Sequence, residues 1–333
     1  MAVSTDLEGT ERTKNWSDIA QFIQEAGIYG LAVELLALIF ELTMTDETHV
    51  ADVHRVSQVC TQWRRIAHGT PRLWIRPLRV NLYSASNAKG DNAAVCLRAW
   101  LARSAPLCVR VSFKQALPGT IHRGVMEAAL AAAPRLRAVQ LQTMPTTPAW
   151  LVKRLAQCAL DSLEELDLGM VAADLTAEAE ADAEPTPFAV PALRTLHMIN
   201  LGTLQISVPW PQLTELTFEC DSLDIIFEVL RQGAPHLVTA SIAVLGESEL
   251  SPEHCVPVHF GHLRTLSLRF RADLSPFLDH LTAPLLTTLR LTLHLAHWDC
   301  EPLAACSPPA SCPGCTTWPC TTEPCPAVTF WQT

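Results

Sequence analysis

The chain has 333 residues, 49% of them hydrophobic, and a formal charge of -10, which is material for a sizeable core and for one to three domains. The negative balance and the lack of a long Lys/Arg run argue against a nucleic-acid partner, which needs a concentrated basic face. Six of the twelve cysteines are scattered among apolar residues, as buried thiols are, and six lie between Cys300 and Cys325. That usage fits a reducing compartment, cytoplasmic and/or nuclear.

Residues 1–28 are polar and charged where a secretory signal would need an apolar run, and read as an N-terminal extension. The most apolar window, LAVELLALIF at 31–40, is interrupted by Glu34 and closed by Glu41. It falls far short of the ~20 apolar residues that span a bilayer, so a soluble chain with no membrane partner is expected.

Within this window Leu31, Leu35, Leu38, Ile39 and Leu42 recur at steps of three and four, the spacing of an amphipathic helix, and Glu34 suits the dipole of its first turn. After the polar break TMTDETH at 43–49, Val53, Val56, Val59, Cys60, Trp63, Ile66 and Ala67 repeat that spacing. This predicts a second helix, ended by Gly69 and kept from continuing by Pro71. Arg64, Arg65, Arg72, Arg76 and Arg79 form a local basic cluster read as a solvated flank. About forty residues cannot bury apolar faces of this size internally, so part of them must dock on something else.

The series LAVELLALIF, VSQVCTQWRRIA and TPRLW resembles the F-box, whose pattern runs Leu-Pro-x-Glu-Leu-Leu-x-x-Ile-hydrophobic, a gap, Val-Cys-x-x-Trp-Arg-x-Ile/Leu-Ala and a tail ending Leu-Trp. The resemblance covers residues 29–76. One departure is Ala32, where the family has proline; alanine is a good helix former, so the expected cost is modest. The resemblance implies a Skp-type adaptor as partner and, through it, a cullin in a ubiquitin ligase. By motif position it implies adaptor-facing roles for Leu31, Glu34, Leu35, Leu36, Ile39 and Phe40 from the first helix. Val59, Cys60 and Trp63 join them from the later one, where Trp63 could equally fasten the helices together. Trp74 and LRVNL at 78–82 are expected to join this helical region to the first strand of a repeat array.

From residue 77 to 296 the texture changes to a Pro or small residue followed by LxxLxL. Copies are PRLRAVQL, SLEELDL, PALRTLHM, PQLTELTF, PHLVTASI, HLRTLSL and PLLTTLRL. Their first leucines, Leu136, Leu163, Leu193, Leu213, Leu237, Leu263 and Leu286, are 27, 30, 20, 24, 26 and 23 residues apart, close to the period of leucine-rich repeats. Alternating leucines put one face of each strand in need of neighbours. Helices are expected between the strands at 123–133, 150–160, 222–233 and 275–281. The usual Asn after the strand is mostly missing, so the expected fold is α followed by α/β repeat: a small helical F-box, then an irregular leucine-rich-repeat-like solenoid.

Residues 172–187, AADLTAEAEADAEPTP, read as an exposed acidic insertion. The tail, 297–333, is rich in Cys, Pro and Thr and abandons the leucine pattern. It holds one CxxC, Cys312 and Cys315, but no second one, which leaves open a disordered tail, a zinc module or an atypical end of the gene model. No metal or cofactor is expected.

Nucleophile elbows, HExxH and phosphate-cradling glycine loops are lacking. His49, His54 and His68 are isolated, and Cys60 lies on an apolar stripe, so no catalytic residue is expected. The function expected is a non-catalytic substrate-recognition adaptor, tethering an unknown substrate protein for ubiquitination. The competing reading is a leucine-rich protein-interaction scaffold with no ubiquitin role.

Overall fold

The computed structural model describes residues 30–81, 87–114, 122–141, 146–171, 185–200, 206–246, 256–270 and 278–293. The N-terminal extension, most of the acidic insertion, the helix expected at 275–281 apart from its last residues, and the Cys-rich tail lie outside them. The chain divides into two compact units, Met1–Arg76 with Arg103–Ala105, and Pro77–Ala102 with the remainder from Pro106.

The first unit is helical. Helix α1 spans Val33–Thr43. Leu36 and Phe40, one turn apart, are its interior residues, at 0% and 2% exposure. Helix α2 spans His49–Val59 and buries His49, Val53 and Ser57; the Ser57 hydroxyl donates to the Val53 carbonyl at 2.7 Å. Helix α3 spans Thr61–Gly69 and buries Ile66 and Ala67.

The single helix expected across 53–67 is thus two. Cys60 between them is extended, at φ −155° and ψ 173°. Its sulfur accepts from the Trp63 N–H at 3.4 Å, so a residue expected on an apolar stripe serves as the N-cap of α3. Arg64 then donates from Nε to the Ser57 carbonyl at 2.8 Å, using a group the end of α2 leaves unpaired. A 3₁₀ turn, Pro71–Trp74, ends the run, and the indole of Trp74 donates to the Ala67 carbonyl at 2.7 Å.

The second unit is built on nine parallel strands whose spatial order is their chain order. They are β1 Leu78–Asn81, β2 Val109–Lys114, β3 Leu136–Gln140, β4 Glu165–Val171, β5 Thr195–Asn200, β6 Glu215–Cys220, β7 Thr239–Val244, β8 Thr265–Phe270 and β9 Thr288–Leu293. Successive parallel strands need a crossover each, and the connections are unequal. Helices α4 (Asn87–Ser104), α5 (Arg123–Leu130), α6 (Ala149–Ala156) and α7 (Leu223–Gly233) occupy some of them. A 3₁₀ turn follows α5 in the same connection, and a further 3₁₀ turn and two-residue strands appear in others.

The leucine phrases explain the register. From β4 to β8 the first leucine of each phrase lies two residues before its strand, and Leu163, Leu193, Leu213, Leu237 and Leu263 are all fully buried. The second forms a row, Leu166, Leu196, Leu216, Ala240 and Leu266, and the third runs through Met198, Phe218, Ile242 and Leu268. Alternate residues face the other way: Asp167, His197, Thr217, Ser241 and Ser267 are in register across the polar face.

Two strands escape the leucine pattern. Leu78–Asn81, expected as a connector, is itself the first strand, and β2, VRVSFK, alternates with valine and phenylalanine in place of leucine.

Each buried row residue removes its side chain from water, worth about 2 kcal/mol for a leucine. Replacing Leu216→Ala leaves a cavity between Leu196 and Ala240, and a loss of about 3 kcal/mol is expected in urea unfolding. Its chain neighbour Thr217→Ala, on the polar face, is expected to stay within about 0.5 kcal/mol.

Candidate partner-binding site

Helix α1 is apolar on more than its buried stripe. Leu35, Leu38, Ile39 and Leu42 recur at i, i+3, i+4 and i+7 and stand exposed, Leu35 at 50% and Leu42 at 75%; Val33, on the side of Leu36 and Phe40 at the start of the helix, is exposed as well. Val50 on α2 and Val59 at its end are exposed as well. A helix apolar on two sides has one stripe for its own core and a second that water solvates poorly.

The residues singled out from the sequence divide accordingly. Leu35, Ile39 and Val59 are exposed apolar side chains, Glu34 is exposed, and Leu31, Cys60 and Trp63 are half-buried. Leu36 and Phe40, expected to face a partner, are instead interior. Phe40 meets Trp63 at a ring-centroid distance of 4.8 Å and 54°, so Trp63 joins α1 to α3. Leu38 and Leu42 are visible in the sequence as members of the helical stripe but lie outside the motif positions. Val33 and Val50 carry no such signal.

The rim of this unit is polar. Arg76 pairs with Asp46 and reaches the Glu41 carbonyl, tying the end of the unit to the α1–α2 turn. His68 packs edge-on to Trp74 at 5.7 Å, and the Arg103 guanidinium lies over the Trp74 ring at 4.9 Å. Loss of solvent, then Arg103 and Arg64, hold the His68 imidazole below its ordinary pKa.

Ala32 is the N-cap of α1, with φ −56° and ψ 146°; its carbonyl accepts from Leu35 and Leu36 and its N–H lies outside the helical ladder. A proline ring tolerates that φ.

In the second unit the polar face of the sheet carries charged pairs in register. His197 Nδ1 lies 2.8 Å from Asp167 Oδ1, which also accepts from the Gly169 N–H at 3.0 Å. Gly169, at φ 55°, follows the bulge in β4, a backbone conformation open to glycine. The bond to Asp167 raises the His197 pKa against the opposing effect of burial. Arg110 reaches Glu165 at 3.1 Å across Ala138, and Arg269 pairs with Glu219 across Ala243. Burial raises the thiols of Cys158 and Cys220, which is the opposite of activation.

Among the described residues no cluster of His, Cys, Asp and Glu could hold a metal ion, and no helix is long and apolar enough to cross a membrane.

The F-box-like family model matches residues 33–79. The helical unit is an F-box-like domain. The match begins at the first residue of α1, runs through the cap at Cys60 and ends in β1. No curated protein matches the chain. Within this F-box-like domain, the residues of the motif sort into a core pair, Leu36 and Phe40, and a solvent-facing set on the same helix.

Two outcomes are expected. Ala32→Pro, which restores the family's proline, should stabilise the F-box-like domain by about 0.5 kcal/mol through the unfolded chain, read as a raised urea midpoint. His197→Gln keeps a donor but does not titrate. Because the folded pKa of His197 is raised, its contribution is complete below about pH 6.5 and fades as pH climbs through the folded value. The wild-type advantage over this variant in urea unfolding should therefore be larger near pH 6 than near pH 9.

Proposed function

We propose that this chain is the substrate-recognition adaptor of a Skp-cullin-F-box ubiquitin ligase. The observation carrying this reading is the exposed stripe Leu35, Leu38, Ile39 and Leu42 on α1 of an F-box-like domain, a surface whose burial by a partner removes several large apolar side chains from water. Within the motif set, Leu35, Ile39 and Val59 are the apolar contacts, with Glu34, Leu31 and Cys60 beside them. Leu36, Phe40 and Trp63 hold the helices that present them.

The sheet unit is the half that holds the substrate. Its strands run parallel in chain order with leucine rows beneath and a polar face above, which supports reading it as an irregular leucine-rich-repeat-like solenoid. The mechanism is tethering. The adaptor end binds the ligase, the sheet end binds the substrate protein, and the effective concentration of a substrate lysine near the charged enzyme rises without chemistry by this chain.

The test separates surface from core. Leu35→Asp puts a charge into a desolvated interface and should weaken a Skp-type adaptor by at least about tenfold, or ~1.4 kcal/mol, with an unchanged melting curve. Leu36→Asp should instead unfold the helical unit. Wild-type full-length protein that fails to bring down a Skp-type adaptor would end the ligase reading and leave an interaction scaffold.

A further inference from the structure

Where strands β5 to β8 begin, the turns that lead into them form an open groove of about 540 Å³, lined by Arg194, Pro211, Gln212, Thr214, His236 and His262. Its position comes from the leucine phrases. The buried Leu193, Leu213, Leu237 and Leu263 anchor four successive turns, and the residues on either side of them are left at the surface.

The backbone is stepped in a ladder, Thr214 N–H to the Arg194 carbonyl, Val238 to Thr214 and Arg264 to Val238, so the same part of each turn recurs along the sheet.

Among the described residues the lining is rich in donors and holds no carboxylate, in a chain whose net charge is -10. Arg194 spends one N–H on the Gln212 carbonyl at 3.0 Å; a guanidinium has five. Gln212 is held in turn by its own bond to the Val190 carbonyl at 2.6 Å, which fixes the floor beside Arg194. The His236 and His262 rings stack 6.2 Å apart at 12° and are exposed. Among the described residues no group of His, Cys, Asp and Glu here could hold a metal ion. Both rings line the groove that Arg194 also lines, and each imidazole brings an N–H donor.

We infer that this groove binds an oxyanion-bearing segment of a protein, a carboxylate or phosphate side chain seated between Arg194 and the two stacked imidazoles. Charge-assisted bonds from a planar guanidinium favour such groups, and an open groove lets an extended segment pass through while its anionic side chain is held. The inference rests on reading the sheet unit as the half that holds a substrate protein, and it is independent of adaptor binding.

The experiment uses the full-length chain and four fluorescent peptides, without any adaptor. One is a glycine-serine peptide with a single phosphoserine, one its unphosphorylated form, one a glutamate run and one the same run in glutamine. The phosphoserine peptide, the glutamate run or both should bind, and whichever binds more tightly identifies the anion. Arg194→Gln and the double variant His236→Asn, His262→Asn should each weaken that binding by about tenfold or more. These side chains are exposed, and an unchanged melting curve would show that the fold is kept. Equal binding of the neutral peptides, undiminished binding by the variants, or no binding of either anionic peptide at millimolar concentration would overturn the inference. Loss of adaptor co-purification would leave all these outcomes readable.

Discussion

A strand in this protein cannot bury its own leucines. Its side chains alternate between two faces with a period of two, and the apolar half is covered only when strands on both sides present theirs at the same height. The nine-stranded register meets that need: Leu216 is flanked by Leu196 and Ala240, and Phe218 by Met198 and Ile242. The polar row through His197, Thr217, Ser241 and Ser267 is the necessary other half of the same alternation. Parallel pairing then dictates a crossover after every strand, and the long connections this requires can differ widely so long as each delivers its strand in register. Helix α7 and the Trp210–Gln212 turn are both adequate solutions.

That constraint decides what the sequence can disclose. The leucine phrases are legible because their first position is leucine in every copy from Leu163 to Leu263, and the second is leucine in all of these but Ala240, at nearly fixed offsets. Strand β2 is not, because valine and phenylalanine fill the same inward positions, and an inward position selects for apolar volume rather than for leucine. Leu78–Asn81 reads as a connector because four residues hold too few alternations to stand out from a link. The helices at Arg123–Leu130, Ala149–Ala156 and Leu223–Gly233 are visible through their apolar periodicity, whereas Asn87–Ser104 carries a weaker stripe.

The helical unit shows a different limit of pattern reading. Periodicity correctly finds an apolar stripe at Leu35, Leu38, Ile39 and Leu42, yet it cannot say whether a stripe faces inward or outward when the helix has two of them. Leu36 and Phe40, a turn apart, form the shorter stripe, and it is this one that the domain keeps for itself. The ring of Trp63 against Phe40 fixes the choice. Likewise, continuous helical spacing from Val53 to Ala67 hides the break at Cys60, because an extended residue whose sulfur caps the next helix leaves the spacing of its neighbours nearly intact.

The two alanines beneath the ion pairs have a wider meaning for how such a sheet comes apart. A stack in which each strand touches only its immediate neighbours behaves as a one-dimensional chain, free to fray from its ends one unit at a time. Ala138 and Ala243 are small enough for Arg110 to reach Glu165, and for Arg269 to reach Glu219, over the strand between. Each pair is weak alone, but it links strands that share no backbone hydrogen bond. Two triplets of strands thereby acquire a next-nearest-neighbour coupling, and deleting or inserting one unit inside either would sever a tie that the adjacent units alone could not restore.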